Sequence, residues 1–166
     1  MVTHGDVATG VYVDGMNLFY GALKGTADKW LDLRAFVHLL VPDDEIVAIR
    51  RRGQRRTGLA TVMIEEEKRT DVNIAVQMVE DSARGLVDKI LLVSNDSDLT
   101  EAVLATERFG VPVGIVNPHR TRTSHHLTGS ASFEIVLRRT ALTRCQFPNV
   151  VNGPNGRSVR RPTQWL

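Results

Sequence analysis

Asp96 and Asp98 stand two residues apart just after the apolar run Ile90-Leu91-Leu92-Val93, and Asp14 follows a shorter run, Gly10 to Val13. Carboxylates held close together repel one another unless a proton or a cation lies between them. Placed at the carboxyl end of a strand in an open α/β sheet, they occupy the position where such sheets bind ligands. Asp71, at the head of a helical stretch, and Asn73 two residues on can reach the same edge. Asn17, just beyond Asp14 and the turn-forming Gly15, completes the polar set. Structural duties compete for each residue. Asp98 or Ser97 can cap the next helix, Asp14 and Asn17 can be turn and cap residues, and Asp71 can simply answer the helix dipole. A cap needs one side chain, however, and the pair Asp96 and Asp98 supplies two.

These residues need strands ending at one edge and helices leaving from it. Four consecutive apolar residues at Ile90 to Val93 read as a strand buried on both faces, as inside a parallel sheet. Gly10 to Val13 is the first strand, and Leu18, Phe19, Tyr20 and Leu23 continue into a helix closed near Gly25. Asp32 is placed to cap a second helix carrying Leu33, Phe36, Val37, Leu39 and Leu40, stopped by Pro42. Glu45 to Ile49 reads as a strand, and Leu59 to Ile64 as a further one. Asp71 to Leu86 has helical periodicity, with Val72, Val76, Val79, Ala83 and Leu86 forming the expected apolar face. Leu99, Val103, Thr106 and Phe109 do the same for the next helix, ended by Gly110 and Pro112. Val113 to Val116 is then a strand, giving a right-handed βαβ unit. Ser130 to Leu142 suggests a last amphipathic helix through Phe133, Val136 and Leu137. Turn signals after Gln146 suggest a hairpin or arm anchored by Trp165. The expected division is a catalytic domain over 1–145 and an arm over 146–166 packed on it.

With 166 residues, 42% apolar and 24% charged, the chain suits one soluble domain with an ordinary core. One cysteine, Cys145, excludes an internal disulfide and fits a reducing compartment. No signal peptide and no membrane-spanning run is indicated, so a cytoplasmic location is expected. The net charge is only +2, but it is unevenly spread. Arginines cluster at Arg50 to Arg56, at Arg120 and Arg122, at Arg138 and Arg139, and at Arg157 to Arg161, apart from the acids. Basic rims around an acidic centre suit a polyanionic partner, although most single arginines are equally well explained as solvated surface.

Taken together, Val13-Asp14-Gly15-Met16-Asn17, Glu67-Lys68-Arg69-Thr70-Asp71-Val72-Asn73, Val93-Ser94-Asn95-Asp96-Ser97-Asp98-Leu99 and Gly114-Ile115-Val116-Asn117-Pro118 resemble the NYN domain, of the PIN-like nuclease superfamily. The resemblance spans most of the chain, tail included. It implies an α/β fold, a three-layer αβα sandwich on a mainly parallel sheet. It also implies metal-dependent cleavage of RNA, usually single-stranded, at the sheet's carboxyl edge. Carried over position by position, the acidic site is Asp14, Asp71, Asp96 and Asp98, with Asn17 as its polar member and Asn73 and Ser94 as neighbours. One departure stands out. Family members usually carry a longer segment, with an extra helix and strand, between the strand at Ile46 to Ile49 and the Glu67-Lys68 motif. Fewer than twenty residues, many of them arginine, fill that interval here. Arg50-Arg51-Arg52 is an odd continuation of a buried strand, which favours residues left out of this chain over a shortened relative.

Phosphodiester hydrolysis needs neutralised charge on the phosphate, an activated water and a stabilised leaving oxygen. Mg²⁺ or Mn²⁺ supplies all three and takes oxygen ligands; no His/Cys set has zinc spacing. Asp14 and Asp96 are the expected principal ligands, with Asp71 and Asp98 holding waters or a second ion and Asn17 orienting a water or phosphate oxygen. Lys68 and Arg120, with an outer rim that includes Arg50 and Arg52, are the expected phosphate contacts, joined by Asn73 and Ser94 on the RNA path. His119, His125 and His126 read as surface more readily than as proton donors. Two other functions compete: an RNA-binding or partner-recruiting module without turnover, and an aspartyl phosphatase at Asp14. The latter wants an acid at the position Met16 fills. Nothing in the sequence excludes a homo-oligomer.

Overall fold

The computed structural model describes residues 7–50, 70–153 and 156–165. The expected strand at 59–64 and the short segment after Arg50 fall outside the described residues.

Five strands form one parallel sheet: β1 (Ala8–Val13), β2 (Glu45–Arg50), β3 (Lys89–Val93), β4 (Val113–Val116) and β5 (Phe133–Ile135), in the order β2-β1-β3-β4-β5. Alternate side chains along β1 and β3 feed two cores. Val11, Val13, Leu91 and Val93 pack with Phe36, Val37 and Leu142 on one face. Tyr12, Ile90 and Leu92 pack with Ile74, Met78, Val103 and Leu127 on the other. The first face carries α1 (Gly15–Leu18, running on as a wider π turn through Phe19–Leu23), α2 (Leu33–Leu40) and α6 (Arg139–Arg144). The second carries α3 (Thr70–Ala83), α4 (Thr100–Arg108) and α5 (His125–Gly129). The result is the three-layer αβα arrangement that the continuous apolar strands require, since a strand apolar on both faces must be covered on both.

Caps fall where short polar side chains precede apolar periodicity. Asp32 Oδ1 accepts the Arg34 and Ala35 N–H groups at 3.0 Å each, starting α2. Cys145 lies buried behind α6. Burial raises its thiol pKa above the usual range; the Asp32 charge adds to this and Arg144 opposes it, so the thiol stays neutral. The tail forms the antiparallel hairpin β6 (Val150–Asn152) and β7 (Ser158–Arg160). It is fastened where Trp30 meets the Phe147 and Trp165 rings edge-on, each with centroids 5.9 Å apart.

Three expectations are corrected. The stretch from Ser130 is not one helix: Phe133–Ile135 joins the sheet as β5, and only Arg139–Arg144 is helical. Ala131, Phe133, Ile135 and Leu137 are partly buried while Ser132, Glu134, Val136 and Arg138 are exposed, a period of two. Phe133 also has a partner only a strand provides, for its ring lies over Gly114 on β4. On α3 the buried face is Ile74, Met78, Asp81 and Ser82, whereas Val72, Val76, Ala83 and Leu86 are exposed. On α4, Leu99, Val103 and Thr106 point inward, but Phe109 lies beyond the helix and is exposed.

Candidate metal centre

The strand order reverses direction between β1 and β3, because the chain first moves outward from β1 to β2 and then returns to add β3, β4 and β5 on the other side. At such a switch point the connections leave in opposite directions and open a crevice at the carboxyl ends of the strands. Asp14 ends β1 and Asp96 lies three residues beyond β3, so both open onto this crevice. Asp71 arrives from the first turn of α3. One carboxylate oxygen from each of Asp14, Asp71 and Asp96 lies within 4.8 Å of the others.

Local bonds fix each group. Asp14 is buried; its Oδ1 accepts the Asn17 N–H at 2.9 Å, capping α1, and its Oδ2 accepts the Ser94 hydroxyl at 3.1 Å. Capping and site membership therefore coexist in one side chain. The Ser94 hydroxyl also accepts the Asp96 N–H at 3.1 Å, so one buried oxygen spans the two strand exits. Asp96, not Ser97 or Asp98, is the cap of the next turn: its Oδ1 accepts the Asp98 N–H at 3.0 Å. Asn17 Oδ1 accepts the Asn95 N–H at 3.1 Å, and Asn95 Oδ1 accepts the Ser124 N–H at 2.7 Å. This chain of bonds ties the exits of β1 and β3 to α5.

The structure places the expected site residues as follows. Ser94 is wholly buried and hydrogen-bonds both the Asp14 carboxylate and the Asp96 N–H. Asn17 Oδ1 is engaged by the Asn95 N–H, which fixes the orientation of its amide. Asp98 is exposed and stands outside the three-oxygen group. Asn73 is exposed on α3, and Arg120 is exposed after β4. Lys68, Arg52 and the Arg50 side chain lie outside the described residues. Asn95 is a positioning residue missed in the sequence reading, and the one signal for it was its place between Ser94 and Asp96.

The donor set fits a hard divalent cation. Three carboxylate oxygens, converging from separate segments and repelling one another, match the oxygen-only preference of Mg²⁺ or Mn²⁺. Ser94→Ala should weaken Mn²⁺ affinity about 10-fold to 100-fold, the usual cost of losing a group that orients ligands. Titration calorimetry on a protein of unchanged melting behaviour checks this; equal affinity in the two proteins would mean Ser94 has no positioning role.

A parallel five-stranded sheet with a carboxylate crevice at its switch point is a PIN-like α/β architecture. A family model for the NYN domain matches residues 8–138, and the chain belongs to that family. The matched residues stop short of the hairpin and Trp165. NYN domains are in general nucleases of the PIN-like superfamily. Among curated proteins, 6-hydroxy-3-succinoylpyridine 3-monooxygenase HspA of Pseudomonas putida (strain DSM 28022 / S16) is 24% identical over 235 residues, covering 95% of this chain and 75% of that protein. Among solved structures, a protein of unknown function from Vibrio parahaemolyticus RIMD 2210633 matches with a TM-score of 0.57 at 20% identity, over 83% of this chain and 97% of that one. That likeness concerns the fold.

Proposed function

We propose that this NYN domain is a metal-dependent endoribonuclease that hydrolyses phosphodiester bonds of single-stranded RNA. The observation that carries the reading is the convergence of Asp14, Asp71 and Asp96 from three segments far apart in sequence. These three would hold Mg²⁺ or Mn²⁺, which when bound neutralises phosphate charge and lowers the pKa of a water. The residues of the chain do the positioning: Ser94 locks two of the carboxylates, Asn17 and Asn95 hold the strand exits in register, and Arg120 stands on the rim to meet phosphate. Asp98 adds negative charge at the mouth.

A fluorescent single-stranded RNA incubated with Mg²⁺, Mn²⁺ or EDTA tests this directly. Cleavage with either metal and none in EDTA is the expected result. Binding without cleavage under any metal would leave a silent RNA-binding module instead. The name of the Pseudomonas relative supports a second reading, oxygenation of a pyridine ring. That chemistry consumes O₂ and two electrons from a donor, so hydroxypyridine-dependent oxygen uptake with a reduced nicotinamide supplied is its separate assay; the ribonuclease reading predicts none.

A further inference from the structure

A second site opens at the same edge of the sheet, and none of the clustered carboxylates lines it. A cavity of about 130 Å³ is lined by Lys24, Arg120 and Arg139, over an apolar floor that includes Pro118, Leu137 and Leu142. Three segments bring the cations there: the end of the π turn after α1, the exit of β4, and the first turn of α6 after β5. Gly21 is what allows the first two to close, because a Cβ there would come within 2.9 Å of the His119 ring. Asn117 shapes the β4 exit by accepting the His119 N–H at 2.8 Å and donating to the Arg122 carbonyl at 2.8 Å.

The charges at this cavity do not balance. Arg139 Nε faces the buried Asp28 carboxylate at 3.6 Å. Among the described residues neither Lys24 nor Arg120 has a carboxylate partner; Lys24 Nζ rests over the Tyr20 ring, 4.6 Å from its centroid. Lys24, Arg120 and Arg139 are exposed and line one small concavity, an arrangement of positive charge that favours an anion seated among them. The cavity has room for a compact tetrahedral anion.

The geometry points to a phosphate pocket that takes a phosphate group of the RNA strand and so sets which phosphodiester reaches the carboxylate crevice. This deepens the ribonuclease reading and rests on it. β4 lies two strands from β1, about 10 Å at ordinary strand spacing, so the pocket and the crevice are within reach of one short stretch of strand. The group held is either an internal phosphate of the chain or a phosphate at its end, and the chemistry of recognition is the same.

Fluorescence anisotropy with the intact 166-residue chain in EDTA separates these cases without needing turnover. The probes are one oligoribonucleotide with a 5′-phosphate, with a 3′-phosphate, and with neither. Lys24→Gln and Arg120→Gln should each weaken binding about fivefold and lower the salt slope by roughly 0.7 to 1. Arg108→Gln, an exposed charge at the C-terminal end of α4, is the matched control. Arg139 stays in place because removing it would strand buried Asp28. Loss on all three RNAs assigns the pocket an internal phosphate, and loss confined to one phosphorylated end assigns it that terminus. Variants that bind every RNA as the Arg108→Gln control does would overturn the pocket. Failure of the ribonuclease reading would look different: wild-type protein that cleaves nothing in Mn²⁺ while the Lys24 and Arg120 effects on binding persist.

Discussion

Asp96→Asn should lower RNA cleavage at least about 10³-fold while leaving the fold intact. The size follows from losing a ligand to a cation whose transition-state stabilisation is worth several kcal/mol, each ~1.4 kcal/mol being tenfold in rate. The fold should survive because Asp96 caps the following turn through Oδ1, and asparagine offers the same carbonyl acceptor to the Asp98 N–H. RNA affinity should hold or improve, since a negative charge leaves a site that meets a polyanion. Asp98→Asn provides the contrast. Its carboxylate is exposed and outside the three-oxygen group, so a loss of less than about tenfold is expected. Single-turnover cleavage by the two variants, alongside their circular dichroism melts, measures both effects. Asp96→Asn turnover within tenfold of wild type would remove Asp96 from the chemistry.

The largest expected effect on stability lies away from the carboxylates, at Gly114. A Cβ added there would sit 2.2 Å from the Phe133 ring, closer than any real contact. β4 is paired on both sides, with β3 and β5, so the half-buried Phe133 ring must swing away and give up its packing on the core. Gly114→Ala should therefore cost about 2–3 kcal/mol, the usual penalty for overfilling a packed position. For a chain of this length that corresponds to a fall of roughly 4–12 °C in Tm. The cause is testable by a double-mutant cycle. With Phe133→Ala already present the alanine has room, and Gly114→Ala should then cost almost nothing. An equal penalty in both backgrounds would mean that the ring is not what Gly114 accommodates. The position also bears on the phosphate pocket, since β5 leads directly to Arg139.

The sheet was legible because a buried parallel strand leaves an unmistakable record. Ile90 to Val93 and Val113 to Val116 have no polar alternation and are buried throughout. The carboxylates at strand ends were legible for the same reason, once the strand ends were known. What the sequence did not disclose was direction around a helix. On α3, Val72 and Val76 look like the better inward face, yet the inward face includes Asp81. Asp81 is tolerable there because its Oδ2 accepts the Tyr12 hydroxyl at 2.6 Å and its Oδ1 accepts the Gln77 amide at 2.8 Å. A buried carboxylate with its donors in place defeats any count of apolar residues. β5 was missed because three residues are too few to declare a period, and Val136, 74% exposed, mimics a helical repeat with Phe133. Lys24 and Arg139 were invisible as a pair, since only the folded chain brings the end of the π turn and the first turn of α6 to one cavity.

A crystal of the wild-type protein grown or soaked in Mn²⁺, with an anomalous difference map at the manganese edge, shows whether the three carboxylates hold a cation. A peak bonded to carboxylate oxygens of Asp14, Asp71 and Asp96 is expected, and no such peak in a matching Asp14→Asn crystal. A fully occupied Mn²⁺ elsewhere, or an empty crevice at saturating metal, would contradict it.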